Sequence, residues 1–133
     1  MYISAVQAAG GRVSLRAEAD TVFVRGEIGE SSSRDFVAGF VEIVHHMALG
    51  ERLGEVKVDV TELEFLNSSG VKEFLSWILR RDRLPPERKY RLNFLFDPTV
   101  PWQTVTLPRL RDLDAGGITL TPRSQRIAMQ VVR

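Results

Sequence analysis

Through residues 12–28 the chain alternates. Val13, Leu15 and Ala17 fall on one side and Arg12, Ser14 and Arg16 on the other. After Ala19-Asp20, Val22, Val24 and Ile28 oppose Phe23, Arg25 and Glu27. Successive side chains of a strand point to opposite faces, so two such runs joined by two residues predict an antiparallel hairpin. Residues 2–11, ahead of it, are weakly patterned and broken by Gly10-Gly11.

Beyond the hairpin the period changes. Residues 30–33 are polar and can cap a helix. Phe36, Val37, Phe40, Val41, Val44, Met47 and Ala48 then fall on one stripe at a spacing of 3.6 residues. Gly50 and Gly54 bracket the helix exit. Val56, Val58 and Val60 mark the next strand, with Lys57, Asp59 and Thr61 on its other face. A short loop delivers Asn67-Ser68-Ser69-Gly70 to a second helix, whose stripe is Val71, Phe74, Leu75, Ile78 and Leu79. Residues 80–89 are charged and contain Pro85-Pro86, which predicts a surface loop. Residues 90–96 form a fourth strand with Leu92, Phe94 and Phe96 on one face. Residues 100–114 form a helix that Pro108 should interrupt or delimit. Residues 118–120 form a short last strand, and the tail to Arg133 is either a final helix or an ordered arm.

The predicted order is β-β-α-β-α-β-α-β, a single α/β domain over residues 1–133. Repeated strand–helix–strand units imply right-handed crossovers and a mostly parallel sheet behind the opening hairpin. Strands covered on both faces are apolar throughout. Four of these alternate instead, so the helices belong mainly on one face of a two-layer fold.

Composition adds exclusions rather than assignments. The 133 residues suffice for one core, and eighteen basic against seventeen acidic residues leave a net charge of +1. That balance gives no general pull toward nucleic acid or an anionic membrane. No cysteine is present, which removes disulfides, thiolate metal sites and cysteine nucleophiles. No apolar run is long enough to span a bilayer, and residues 1–10 lack a signal-peptide pattern, so the expected location is cytoplasmic.

Catalytic and metal patterns are missing too. His45 and His46 are adjacent on a helix, about 100° apart, and do not face one metal from the same side. No HExxH, GxSxG, GxGxxG or Walker pattern occurs. Asp59, Glu62 and Glu64 read as a solvated strand end rather than a carboxylate pair. Arg80, Arg81, Arg83, Arg88, Lys89 and Arg91 flank the diproline as a basic cluster, either a solvated loop or a contact for an acidic partner. The chain is expected to be non-enzymatic and free of cofactor and metal.

The order of elements, together with VDVTELEFLNSSGVKEFL, resembles the STAS domain of bacterial anti-sigma factor antagonists. In that family an apolar-Asp-apolar strand runs into a loop ending Asp-Ser-Ser-Gly or Asp-Ser-X-Gly, and a helix follows. Val58-Asp59-Val60 matches the strand, Phe65 and Leu66 the apolar loop positions, and Ser68-Ser69-Gly70 the corner. The resemblance implies a partner-switching regulator that binds an anti-sigma factor or a switch serine kinase. It implies phosphorylation at Ser68 and reversal by a serine phosphatase. Asn67 stands where many members carry Asp, which removes a negative charge beside the acceptor serine but keeps a helix-capping side chain.

Asn67, Ser68, Ser69, Gly70 and Trp77 are the expected partner-binding residues. Ser69 is the alternative phosphorylation site, and capping alone also accounts for Asn67, Ser68 and Ser69. Gly70 is expected to permit close backbone approach. Trp77 lies off the apolar stripe of its helix and either anchors a partner or covers the core edge. Two other functions stand beside the switch: a STAS-like module binding a nucleotide or lipid between sheet and helices, and a constitutive interaction domain without phosphorylation. Oligomeric state is not readable from the sequence.

Overall fold

The computed structural model describes residues 2–5, 13–29 and 31–123. In chain order the elements are β1 (Tyr2–Ala5), β2 (Val13–Glu18), β3 (Thr21–Ile28) and α1 (Ser31–Gly50). β4 (Glu55–Asp59), β5 (Leu63–Leu66) and α2 (Ser68–Asp82) follow. A 3-10 turn (Pro86–Arg88), β6 (Arg91–Phe96), α3 (Pro101–Arg111) and β7 (Ile118–Pro122) complete them.

The sheet runs β1-β2-β3-β4-β6-β7, and β5 also pairs with β3. β1, β2 and β3 are antiparallel neighbours, with Arg16 opposite Phe23 and the guanidinium 4.4 Å from the ring centroid. All pairings from β3 onward are parallel. The steps from β3 to β4, β6 and β7 all move the same way across the sheet. Right-handed crossovers therefore put all three helices on one face. Burial follows: Val13, Leu15, Val22, Val24, Val56, Val58, Leu92 and Phe94 are each no more than 2% exposed, whereas Ser14, Phe23, Lys57 and Asn93 between them are half-buried. This is the expected two-layer fold.

Two strands lie where the sequence pattern predicts none. β1 has no strong alternation of its own and is defined by its pairing with β2, Tyr2 opposite Glu18 and Ala5 opposite Leu15. β5 is four residues long, too short to show a period, and lies in what reads as loop.

Helix bounds also shift. α1 takes in Ser31, Ser32 and Ser33, which sequence alone places in a cap ahead of Phe36. Its exit is not built on glycine. The amide of Leu53 reaches the carbonyl of Ala48 at 3.0 Å and that of Arg52 reaches Leu49 at 3.2 Å, the paired bonds of a Schellman motif. The left-handed residue this motif requires is Arg52, φ 54°. α2 runs on to Asp82, so Arg80 and Arg81 are helical rather than part of a surface loop. Arg81 is 4% exposed: its Nε donates to the Tyr90 carbonyl and its Nη1 meets Asp82 at 2.5 Å and Asp114 at 2.6 Å. A buried guanidinium is tolerated when its donors are paired in this way. α3 passes through Pro108, and β7 continues two residues beyond its predicted end. The tail predicted as helix or arm lies beyond residue 123, outside the described residues.

Candidate functional site

Three short devices bring the chain to the Asn67 corner. Asp59 Oδ1 accepts from both the amide (2.9 Å) and the hydroxyl (2.6 Å) of Thr61, turning the chain out of β4. The carboxylate of the VDVT stretch thus works as a turn-maker. β5 then pairs with the second half of β3, from Gly26 opposite Leu63 to Ile28 opposite Leu66. A bulge falls between Gly26 and Glu27, where Gly26 takes φ 99°. Such a positive φ favours glycine.

The third device comes from α3. Gln103 is fully buried; its Nε2 donates to the carbonyls of Val60 (2.7 Å) and Leu63 (3.1 Å), and its Oε1 accepts the Asp97 amide at 2.6 Å. Trp102 Nε1 adds a bond to Leu63 O at 2.7 Å. The Val60 carbonyl also takes the Leu63 amide at 2.9 Å, so Gln103 adds to the bonds that fix the β4–β5 connection and alone satisfies the Asp97 amide.

At the corner itself Asn67 is the N-cap of α2. Its Oδ1 accepts the Gly70 amide at 2.9 Å, and its Nδ2 donates to the Gly29 carbonyl at 3.0 Å. Its own amide bonds Ile28 O at 3.0 Å, and its carbonyl takes the Val71 amide at 3.0 Å. Among the described residues, the amides of Ser68 and Ser69 are the first-turn donors left without such a partner, at the positive end of the helix dipole. Ser68 is exposed, Ser69 half-buried and Gly70 buried. A Cβ on Gly70 would lie 2.8 Å from Ile28 Cγ2 and closer still to Leu66 Cδ1, so this glycine permits close approach of α2 to β3 and β5. Phe65, 50% exposed, is the large apolar side chain presented here, and its ring lies against Gly29.

Trp77 does not join the corner. It is 1% exposed, and its Nε1 donates to Tyr90 Oη at 2.8 Å. The buried face of α2 is Gly70, Phe74, Trp77, Ile78 and Arg81, whereas Leu79, expected on the stripe, is 46% exposed. The helix is rotated from the predicted stripe because Gly70 must meet Ile28 and the indole finds a buried acceptor. Trp77 therefore covers the core and presents nothing to a partner.

Tyr90 Oη also lies 2.6 Å from His45 Nδ1, and burial pushes its pKa up to about 12. Burial first, then the charges of Arg80 and His46, hold His45 below the ordinary histidine value. His46 is on the exposed side, 3.6 Å from Glu42. Among the described residues no cluster of three or more His, Asp or Glu could hold a metal ion, and no helix is long and apolar enough to cross a membrane.

Neither Gln103 nor Gly29 is singled out by the sequence pattern. A glutamine amid the apolar positions of a helix was the available signal for the first. The second had none, since its role depends on where Asn67 arrives.

No protein-family model matches the chain, and no curated protein matches it in sequence. Solved structures match it in shape. A chain of the complex between the diguanylate cyclase SiaD and its activator SiaC, from Pseudomonas aeruginosa, superposes with a TM-score of 0.66 at 13% identity, covering 92% of this chain and 99% of that one. SiaC of Pseudomonas aeruginosa gives 0.64 at 14% identity over 92% and 98%. An anti-sigma factor antagonist from Mycobacterium paratuberculosis gives 0.56 at 17% identity over 91% and 92%. The chain has the STAS-like fold of these proteins.

Proposed function

We propose that this chain is a non-enzymatic regulator that binds a protein partner through the Asn67 corner and is released when Ser68 is phosphorylated. The observation that carries the reading is the position of Ser68: exposed on the first residue of α2, above a cap that Asn67 locks to both Gly29 and Gly70. A phosphoryl group there meets open amides and the helix dipole, so the fold tolerates it. It adds about −1.5 to −2 charges to a surface the partner must desolvate. Ser69, half-buried, is the poorer acceptor. Phe65 replaces Trp77 as the apolar anchor beside the switch.

The partner is an anti-sigma factor or a switch serine kinase, and a serine phosphatase restores the unmodified form. The likeness to SiaC, an activator of a diguanylate cyclase, favours a second kind of partner: an enzyme whose activity the bound protein sets. A ligand in the gap between sheet and helices is less well supported. Phe74, Trp77, Tyr90 and Phe94 occupy that gap, each no more than 1% exposed, with the Phe74 and Phe94 centroids 5.9 Å apart.

The test is a pull-down from native lysate with wild-type and Ser68→Glu baits, the retained proteins being identified by mass spectrometry. Loss of a kinase, anti-sigma protein or cyclase from the glutamate bait supports the switch. Equal capture by both baits makes the interaction constitutive and leaves Ser68 as a helix residue only.

A further inference from the structure

At the opposite end of the parallel strands from Ser68, where β4 and β6 begin, the surface is concave. The hollow has a volume of about 330 Å³ and lies between the exit of α1 and the 3-10 turn. Its apolar side is Leu49 and Leu53, both packed against the core. Arg52, Arg88 and Lys89 surround it, with Glu87 as the acidic side chain among the lining residues. Among the described residues Arg52 and Arg88 make no ion pair, whereas the Lys89 charge also acts on the carboxylates of Asp82 and Asp114.

Arg52 supplies a second observation. It occupies the left-handed position of the Schellman motif, where glycine is the unstrained choice and a side chain costs free energy. Gly50 and Gly54 lie two residues away on either side. A charged residue at a position that glycine would take without strain is a candidate for a role of its side chain. Offsetting the negative end of the α1 dipole is one such use. Three cations around an apolar hollow, two of them without an ion pair among the described residues, exceed what that half charge requires.

We propose that this hollow binds a small organic anion, a phosphate or carboxylate joined to a compact apolar body. Arg52, Arg88 and Lys89 would take the charged group and Leu49 and Leu53 the apolar part. The volume falls at the lower end of the range for small-molecule sites. The proposal is independent of Ser68, since the hollow and the corner lie at opposite ends of the strands.

The test is an amide NMR titration of the full chain with phenyl phosphate, phenylacetate and inorganic phosphate at constant ionic strength. Saturable shifts confined to residues 48–54 and 87–89 are expected for at least one aryl anion, and the stronger of the two identifies the charged group. Inorganic phosphate should bind roughly tenfold more weakly, because it leaves the apolar side empty. Arg52→Gly suits the backbone of this turn and should weaken the aryl anion at least about fivefold, as should Arg88→Gln. Shifts spread equally over Arg109 and Arg111, unchanged affinity in both variants, or no saturation with either aryl anion would overturn the proposal.

Discussion

One side chain, Asn67, ties two loops together: its Oδ1 holds the Gly70 amide at 2.9 Å while its Nδ2 holds the Gly29 carbonyl at 3.0 Å. An aspartate could make only the first of these bonds and would set a second acceptor against the Gly29 carbonyl. Asn67→Ala should cost about 1–2 kcal/mol, since it removes the cap and the bridge. Asn67→Asp should cost less, up to about 1 kcal/mol, because its charge interacts favourably with the helix dipole. Urea unfolding of the two variants checks the order, and an aspartate variant as stable as wild type would show that the dipole gain fully offsets the lost Gly29 bond.

Gly70→Ala puts a methyl group 2.8 Å from Ile28 Cγ2. Overpacking of this kind costs about 1–3 kcal/mol and should push the start of α2 off the sheet. Equilibrium unfolding gives the cost, and amide shifts at Ile28 and Leu66 locate it.

Gln103→Leu leaves the Asp97 amide without its partner, whereas the Val60 carbonyl keeps the Leu63 amide and the Leu63 carbonyl keeps the Trp102 indole. Each unsatisfied buried group costs about 1–3 kcal/mol. Global stability should fall by about 1–3 kcal/mol. The amides of Leu63, Glu64, Phe65 and Leu66 should exchange faster than those of β2, because Trp102 alone then ties α3 to their strand.

His45 predicts a pH dependence of stability. The Trp77 indole only donates, so Tyr90 Oη accepts there and directs its own proton to His45 Nδ1. The imidazole must stay neutral to accept it. Burial keeps the folded pKa below the ordinary 6.5, so the unfolded chain takes up this proton first. Stability is therefore full above that value and is lost as pH falls through it toward the folded pKa. Urea midpoints should drop between about pH 7.5 and about pH 5.5, above the main carboxylate range. His45→Gln, which keeps an acceptor, should flatten that drop.

Arg52→Gly should stabilise the fold by about 1 kcal/mol, because glycine takes the left-handed turn without strain. A thermal melt checks it, and a lowered Tm would mean that the guanidinium serves the α1 terminus more than the turn harms it.

Elements with a full period were legible in the sequence. The β2–β3 hairpin and the α1 stripe from Phe36 to Ala48 lie where alternation or 3.6-residue spacing placed them, as does the strand at Val56 and Val58, which ends at Asp59 short of the expected Val60. β5 escaped because four residues carry no period, and β1 because pairing with β2 defines it. The rotation of α2 toward Trp77 depends on the Tyr90 hydroxyl, thirteen residues downstream, which no local pattern reports. Arg81 read as loop for the same reason: its partners at Tyr90 and Asp114 are distant in sequence. At the corner, Asn67 and Gly70 were legible as cap and close approach. The bond to Gly29 was not, since it joins two loops separated by α1, β4 and β5.

The most direct measurement is the affinity of the purified partner for the chain carrying phosphoserine at position 68, compared with the unmodified chain. The account predicts a Tm within about 2 °C of the unmodified protein, a perturbation of well under 1 kcal/mol, and a Kd weakened at least about tenfold. Equal affinity of the two forms would contradict it.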